Sequence, residues 1–475
     1  MIKNHVKSLL IKNLNFTPTQ SQSLLTEGLS EFISSNEIKE VVLIKGFAGT
    51  GKTTVISSLY QTLVSLGIQP VLMAPTGRAA KVMAGYTGMP AYTIHKIIYR
   101  QKSSSDGTGS FVIDKNFYRN TFFIVDEASM ISNQNSENSV FGSGRLLDDM
   151  LEFVFSGVNC RLILTGDTAQ LPPVGISVSP ALDPYTLKKY GLKIKEFILT
   201  DVVRQAEGSG ILSCATLVRK QIEDSGNSGF FNMQIGSFSD VERISGMDLT
   251  EYLTSCYDKY GLFETAVVTR SNKRANLFNK GIRSSILYRE EEIERGDILM
   301  VVKNNYYWNS DTPGLDFIAN GDIAEVVSIK SYEELYGFRF ANVRLRFIDY
   351  DDVEIVGKIF LDTLYSETAS MSAGQNKKLF DAVAGDYTEY KNKRHRWDKI
   401  RQNPYFNALQ VKFAYALTCH KAQGGQWKAV FVDHGYLVEE MLDHEYYRWL
   451  YTAFTRSVER LFLVNFNSGF FESPA

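Results

Sequence analysis

Lys52 and Thr53 end the segment Gly46–Thr53, whose pattern G-x-x-x-x-G-K-T is suited to holding a triphosphate. Glycines at 46, 49 and 51 let the chain turn tightly, so the amides of Gly46, Phe47, Ala48, Gly49, Thr50 and Gly51 can face phosphate oxygens. Thr54 lies in the first turn of the helix-like run that follows, whose N-terminal partial charge also favours an anion. Lys52 is expected to reach the β- and γ-phosphates, and the Thr53 hydroxyl to ligate Mg²⁺. These residues fit ATP and GTP alike. A glycine-rich turn that binds nothing is the competing reading, and the strand–loop–helix order around the motif argues against it.

A second chemical pair closes the apolar run Thr121–Val125. Asp126 would hold Mg²⁺ through its water shell, and Glu127 would orient and deprotonate an attacking water. That pair favours hydrolysis over phosphoryl transfer to a small acceptor. Three further residues turn a hydrolase into a candidate motor. Gln170, in the run Arg161–Gly175, is placed to sense a γ-phosphate from the loop after a strand. Arg204, in Leu199–Gln205, and Arg456, in Tyr451–Val464, are candidate arginine fingers that couple domain closure to hydrolysis. Taken singly, each arginine equally suits a surface ion pair.

The elements that must position these groups form an α/β pattern. Strand-like runs at Val41–Ile44, Pro70–Ala74, Phe122–Val125 and Arg161–Thr165 alternate with helix-length segments, predicting a mostly parallel sheet with helices on both faces. A second α/β set has strands at Glu264–Thr269, Ala429–Asp433 and Arg460–Phe466, with helices at Arg274–Arg283 and Asp443–Arg456. Between these, Gly296 to about Gln410 consists of short β-rich runs with turn residues, which predicts an inserted small barrel. Ile97–Asn120 has a Ser/Gly tip between β-capable flanks and reads as a hairpin, and Asn133–Gly144 reads as a polar mobile loop.

Composition bounds the class. A chain of 475 residues allows two to four domains. No apolar run is long enough to span a bilayer, and the first residues lack a secretory h-region, so a cytoplasmic protein away from membranes is expected. The four cysteines are widely spaced and predict neither a zinc site nor a disulfide framework. A net charge of -2 mildly disfavours nucleic acid as a partner, although a neutral protein can carry a local basic groove.

Eight segments in series, GFAGTGKTT, APTGRAAKVM, AYTIHKIIY, IVDEASM, LTGDTAQLPPVG, LTDVVRQ, LTCHKAQGGQW and YTAFTRSVERLFLV, resemble the motifs of superfamily 1 helicases in their usual order. The wording of TIHK, GDTAQLPPV and CHKAQG is similar to the RecD/Dda/Pif branch, over roughly Phe16 to Phe466. The resemblance implies two RecA-like domains, with a β-hairpin pin insert and an inserted SH3-like β-barrel. The first domain would cover 1–195, with its pin at about 97–120. The second would comprise 196–295 and 411–475, and the barrel 296–410 with a basic helical extension. It implies ATP as substrate, Mg²⁺ as cofactor, 5′-to-3′ movement on single-stranded DNA and unwinding at single/double-strand junctions. A translocase that strips proteins or remodels RNA without processive unwinding is the alternative. A working monomer with replication or recombination partners follows from the same family.

Residue by residue, the resemblance implies that Gln20 reads the adenine edge, with Gln22 as a nearby competitor, and that Gly424 approaches the nucleotide. Pro75, Thr76, Arg78, Thr93, His95, Thr269, Asn272, Thr418, His420 and Lys421 match motifs lining the DNA groove. His95 and His420 also suit core or hinge positions. Phe111 is the candidate for stacking on the first base pair. Lys391–Tyr405, the most basic stretch, would either track the DNA backbone or form a solvated helix face.

Overall fold

The computed structural model describes residues 2–101, 111–134, 141–202, 208–224, 229–308, 317–350 and 352–471. The first sheet contains β1 (Glu40–Gly46), β2 (Gln69–Ala74) and β3 (Ala91–Thr93). After a two-stranded antiparallel hairpin, β4 (Tyr99–Gln101) and β5 (Phe111–Ile113), it gains β6 (Thr121–Val125), β7 (Arg161–Gly166) and β8 (Lys193–Leu199). Its order is β3-β2-β6-β7-β1-β8, and every pairing is parallel. The central strands are buried along their whole length, as continuous Val/Ile/Leu/Phe runs in a parallel sheet require. The N-terminal helices Ile2–Leu14 and Gln20–Ser34 cover one face, burying Leu10, Leu25 and Phe32 against Val42 and Ile44.

The second sheet starts with β9 (Val241–Ile244) and β10 (Thr265–Thr269), and the chain then leaves it to build a barrel. The barrel strands are β11 (Ile298–Val301), β12 (Ile323–Leu335), β13 (Phe338–Phe347), β14 (Val353–Phe360) and β15 (Leu409–Phe413), closed in that order. Between β14 and β15 the helices Ala373–Gly385 and Lys393–Arg401 pack on Phe338, Phe340 and Phe360. The chain then returns to the second sheet with β16 (Ala416–Thr418), β17 (Trp427–Asp433) and β18 (Ser457–Val464). Its order is β16-β10-β17-β18-β9, again all parallel.

Several sequence expectations change here. The boundary expected at 195 falls inside β8, which pairs with β1 from Glu40↔Lys193 to Gly46↔Leu199 and so belongs to the first sheet. Its alternating Lys and Glu residues hide it from an apolar-run search, because an edge strand exposes one face. The boundary at 410 likewise cuts β15. The helix expected over Arg274–Arg283 is Asn272–Gly281, continued by a π turn over Ile282–Ile286 that aims Arg283 at Asp297, 2.9 Å away. The Asn133–Gly144 loop is not uniformly polar and exposed. Its Phe141 is buried and bridges to Phe111, while residues 135–140 lie outside the described residues. The Ser103–Ser110 tip of the hairpin also lies outside them.

Candidate active site

A cleft of about 1110 Å³ opens where the C-terminal ends of β1, β6 and β7 face the second sheet. The loop after β1 lines it from Phe47 to Thr54, turning through Gly49 (φ 76°) and Gly51 (φ 81°). Positive φ at both positions explains the glycines there. Thr50 is buried and its hydroxyl donates to the Phe47 carbonyl at 2.8 Å, which tightens the loop. Lys52 Nζ donates to the carbonyls of Gly46 (2.5 Å) and Phe47 (3.0 Å) and lies 3.7 Å from Asp167 Oδ2. Thr53 is exposed to the cleft at the start of the Lys52–Ser65 helix.

At the end of β6, Asp126 Oδ1 accepts the Thr165 hydroxyl and the Glu127 amide, both at 2.9 Å. Its Oδ2 accepts the Tyr86 hydroxyl at 2.5 Å. Burial and the neighbouring Asp126 charge push the Tyr86 phenol well above its ordinary range, so it stays a donor. Glu127 adopts a left-handed backbone (φ 52°), the kind of strain that clusters at functional sites. Burial raises its carboxyl above the usual range, with Asp126 and Asp167 adding to the effect and Arg456 and Lys52 opposing it. A base with a raised pKa is a better proton acceptor near neutral pH.

The second sheet supplies the opposite wall. Arg456 is 3% exposed, donates to the carbonyls of Thr452 (3.1 Å) and Gly425 (3.2 Å), and holds Nη1 3.9 Å from Glu127 Oε1. Gln170 is buried on the cleft wall, and its Oε1 has no hydrogen-bond partner among the described residues. Gly424 (φ 73°) comes so close to the first domain that a Cβ would lie 2.9 Å from that of Ala79. Arg204 lies outside the described residues. Gln20 is exposed in the first turn of its helix, beside Thr19 on the cleft wall. Gln22 is fully buried with both ends of its amide engaged: Nε2 donates to the Thr50 carbonyl at 3.1 Å and Oε1 accepts the Thr19 amide at 3.0 Å. Gln22 therefore ties the helix cap to the phosphate loop.

An AAA domain family model matches residues 29–226, and a UvrD-like helicase C-terminal domain model matches 413–464. The ATP-dependent RecD2 DNA helicase of Deinococcus radiodurans is 25% identical over 94% of this chain and 50% of its own length. The ATP-dependent DNA helicase dda of Enterobacteria phage T4 is 24% identical over 83% of this chain and 88% of its own. Both family models and both relatives agree with the resemblance of the motifs to the RecD/Dda/Pif branch of superfamily 1 helicases. Among solved structures, the Pif1 helicase from Bacteroides in complex with ADP-AlF3 and ssDNA covers 97% of this chain and 95% of its own, at 15% identity and a TM-score of 0.47.

The residues expected to line a DNA groove divide into two groups. Asn272, Thr418 and Lys421 converge on a small cleft between the second sheet and the barrel, together with Lys412, which sequence reasoning missed. Burial lowers both lysines to about 8. Lys421 donates to Asn320 of the barrel. Pro75 and Thr76 stay partly exposed, and the Thr76 hydroxyl caps the Gly77–Thr87 helix at the Ala79 amide (3.2 Å). His420 is exposed one residue before Lys421.

The others are engaged inside the protein. Arg78 lies 4.1 Å over Trp427 and donates to the Gln426 carbonyl, joining the two domains. Thr93 caps the Ile94–Ile98 helix, and Thr269 is fully buried with its hydroxyl on the carbonyls of Ser271 and Leu417. His95 packs against Tyr99, Phe141 and Phe317, and burial lowers it to about 4, so it is the neutral core histidine. Phe111 does not stand ready to stack on a base pair. It is 7% exposed, 4.8 Å from Phe141 and 4.9 Å from Tyr306 of the barrel insert, because its strand forms the base of the hairpin. This aromatic cluster fastens the hairpin to the barrel.

Proposed function

We propose that this chain is an ATP-dependent DNA helicase that moves 5′ to 3′ on single-stranded DNA and separates duplex ahead of it. The observation that carries the reading is the approach of Arg456, from the second domain, to Glu127, from the first, at 3.9 Å. A nucleotide site completed by two domains makes turnover and domain separation the same event. The similarity to the RecD2 and Dda DNA helicases supports DNA as the track, and the 5′-to-3′ direction rests on the resemblance of the motifs to the RecD/Dda/Pif branch.

In the mechanism, ATP docks on the amides around Gly49 and Gly51, and Lys52 leaves its carbonyls for the β- and γ-phosphates. Glu127 takes a proton from the attacking water, and Gln170 orients that water through its Oε1, which has no partner among the described residues, or senses the γ-phosphate by donating from its Nε2. Arg456, with Arg204 as a second finger, neutralises charge on the leaving phosphate. Thr53, Asp126 and Glu127 offer only hard oxygen donors, which suits Mg²⁺. Mg²⁺ bound there by Thr53 and Asp126 would offset charge on the transferred phosphoryl group. Gln20 is our candidate for the adenine edge.

The closed barrel is read as SH3-like, and the β4–β5 hairpin as the strand-separating pin, with its tip rather than Phe111 meeting the junction. Lys412, Lys421, Thr418 and Asn272 are assigned to phosphates of the tracked strand. The enzyme is read as a working monomer, serving replication or recombination. Among the described residues no helix is long and apolar enough to cross a membrane.

The test is ATP hydrolysis with and without single-stranded DNA, Glu127→Gln serving as control, followed by unwinding of 5′-tailed and 3′-tailed duplexes. Stimulation by DNA with unwinding from the 5′ tail alone is expected. Stimulation without unwinding from either tail would instead identify a translocase, and no stimulation by DNA would sink the substrate assignment.

A further inference from the structure

Tyr451 belongs to the His444–Phe454 helix of the second domain, yet its hydroxyl sits against the first domain's phosphate loop. It accepts the Ala48 amide at 2.7 Å and donates to Asp167 Oδ2 at 2.7 Å. Two helical neighbours reach the same region. The Thr452 hydroxyl accepts the Leu171 amide at 2.8 Å, and Arg448 donates to the carbonyls of Thr168 and Ser177, each at 2.6 Å. Spaced i, i+3 and i+4, Arg448, Tyr451 and Thr452 share one helix face, which thus grips the loop after β7.

Asp167 makes this contact more than adhesion. The carboxylate is 1% exposed, and its Oδ1 is occupied by the Ala169 amide at 2.9 Å. Its Oδ2 receives Tyr451 and lies 3.7 Å from Lys52 Nζ. The phenol of one domain therefore holds an oxygen that the ammonium of the other domain faces at ion-pair distance. A buried carboxylate lacking the phenol would draw the ammonium closer, since hydrogen bonds to charged groups are the strong ones. Burial and the Asp167 charge hold the Tyr451 phenol well above its ordinary range, so it remains a donor at working pH.

We propose that Tyr451 is a positioning residue that holds Asp167 away from Lys52 while the second domain is docked, leaving the ammonium for the triphosphate. Withdrawal of the second domain returns Asp167 to Lys52, so nucleotide affinity follows domain closure through one hydroxyl. The proposal rests on the reading of this cleft as an ATP site.

The test is equilibrium binding of a fluorescent ATP analogue to four full-length proteins: wild type, Tyr451→Phe, Asp167→Asn and the double variant. Tyr451→Phe is expected to weaken binding on the order of tenfold, the scale of one hydrogen bond to a charged group. In the Asp167→Asn background the same substitution should change binding less than twofold, because a neutral amide does not hold the ammonium. ATP hydrolysis, read as kcat/KM, should follow the same pattern. Equal losses in both backgrounds would show that the tyrosine merely joins the domains, and no loss in either would overturn the proposal outright. If the wild-type protein bound no analogue, the ATP-site reading itself would fall.

Discussion

Arg456 Nη1 lies 3.9 Å from Glu127 Oε1, although the two residues belong to different sheets and are separated by more than three hundred positions in the chain. Both groups are engaged elsewhere as well. The arginine donates to the carbonyls of Thr452 and Gly425, and the glutamate extends from a left-handed strand end. The pair is therefore aimed by backbone, and small rotations of one domain change its separation.

Loss of either partner should abolish turnover in different ways. Arg456→Ala is expected to lower kcat by about 10³-fold or more, the scale of an arginine finger. Arg456→Lys should recover little, because a lysine cannot reproduce the guanidinium's fork. Glu127→Gln should retain ATP binding while hydrolysis falls by about 10²-fold or more. Steady-state ATPase with saturating single-stranded DNA, beside nucleotide binding, checks each outcome. Near-wild-type turnover in Arg456→Ala would remove it from the site.

Deleting Ser103–Ser110 should abolish unwinding of 5′-tailed duplexes and leave DNA-stimulated ATPase intact. The base of the hairpin, Phe111 within the cluster of Phe141, Tyr306 and Phe317, stays in place in that variant. Phe111→Ala should act differently, as removal of a buried aromatic, costing about 3–5 kcal/mol of stability. Thermal melts beside unwinding assays separate the two, and undiminished unwinding by the deletion variant would refute the pin.

The Lys393–Arg401 helix carries Trp397, which is 38% exposed with Arg401 5.1 Å over its ring, and it is flanked by exposed Lys391 and Lys399. If this face follows phosphates, Lys391→Glu with Lys399→Glu should weaken junction binding. The slope of log affinity against log salt should fall by about two, one per lost phosphate contact. An unchanged slope would make the helix a solvated brace of the barrel.

Asp322, at the contact between the barrel and the first domain, gives a pH prediction. Burial, and secondarily the nearby Asp349, raise its carboxyl to about 8, although the Ala319 amide and the Tyr350 hydroxyl oppose the rise. The folded state therefore keeps a proton that the unfolded state releases near 4. The contribution is full below about pH 4 and is lost as pH climbs towards 8, at up to about 1.4 kcal/mol per unit. Asp322→Asn should flatten the fall of melting temperature between pH 5 and 8. An equally steep fall in that variant would disprove the assignment.

The phosphate loop, the paired acids, the central strands and the interruption of the second α/β unit by a barrel are all legible along the chain. Each is a local signature. Glycine spacing, a carboxylate after an apolar run and a change of periodicity are set by neighbours along the chain. Tertiary structure alone decided the partners. Tyr86 on Asp126, Gln22 on Thr50 and Tyr451 on Asp167 join residues far apart in the chain, and no local pattern marks such contacts. It also decided the fates of Phe111, His95 and Thr269, whose residue types suit a DNA surface but whose side chains are packed inside the protein. Edge strand β8 was hidden for a related reason: its pairing with β1 comes from backbone hydrogen bonds, which leave little trace in a side-chain pattern exposed on one face.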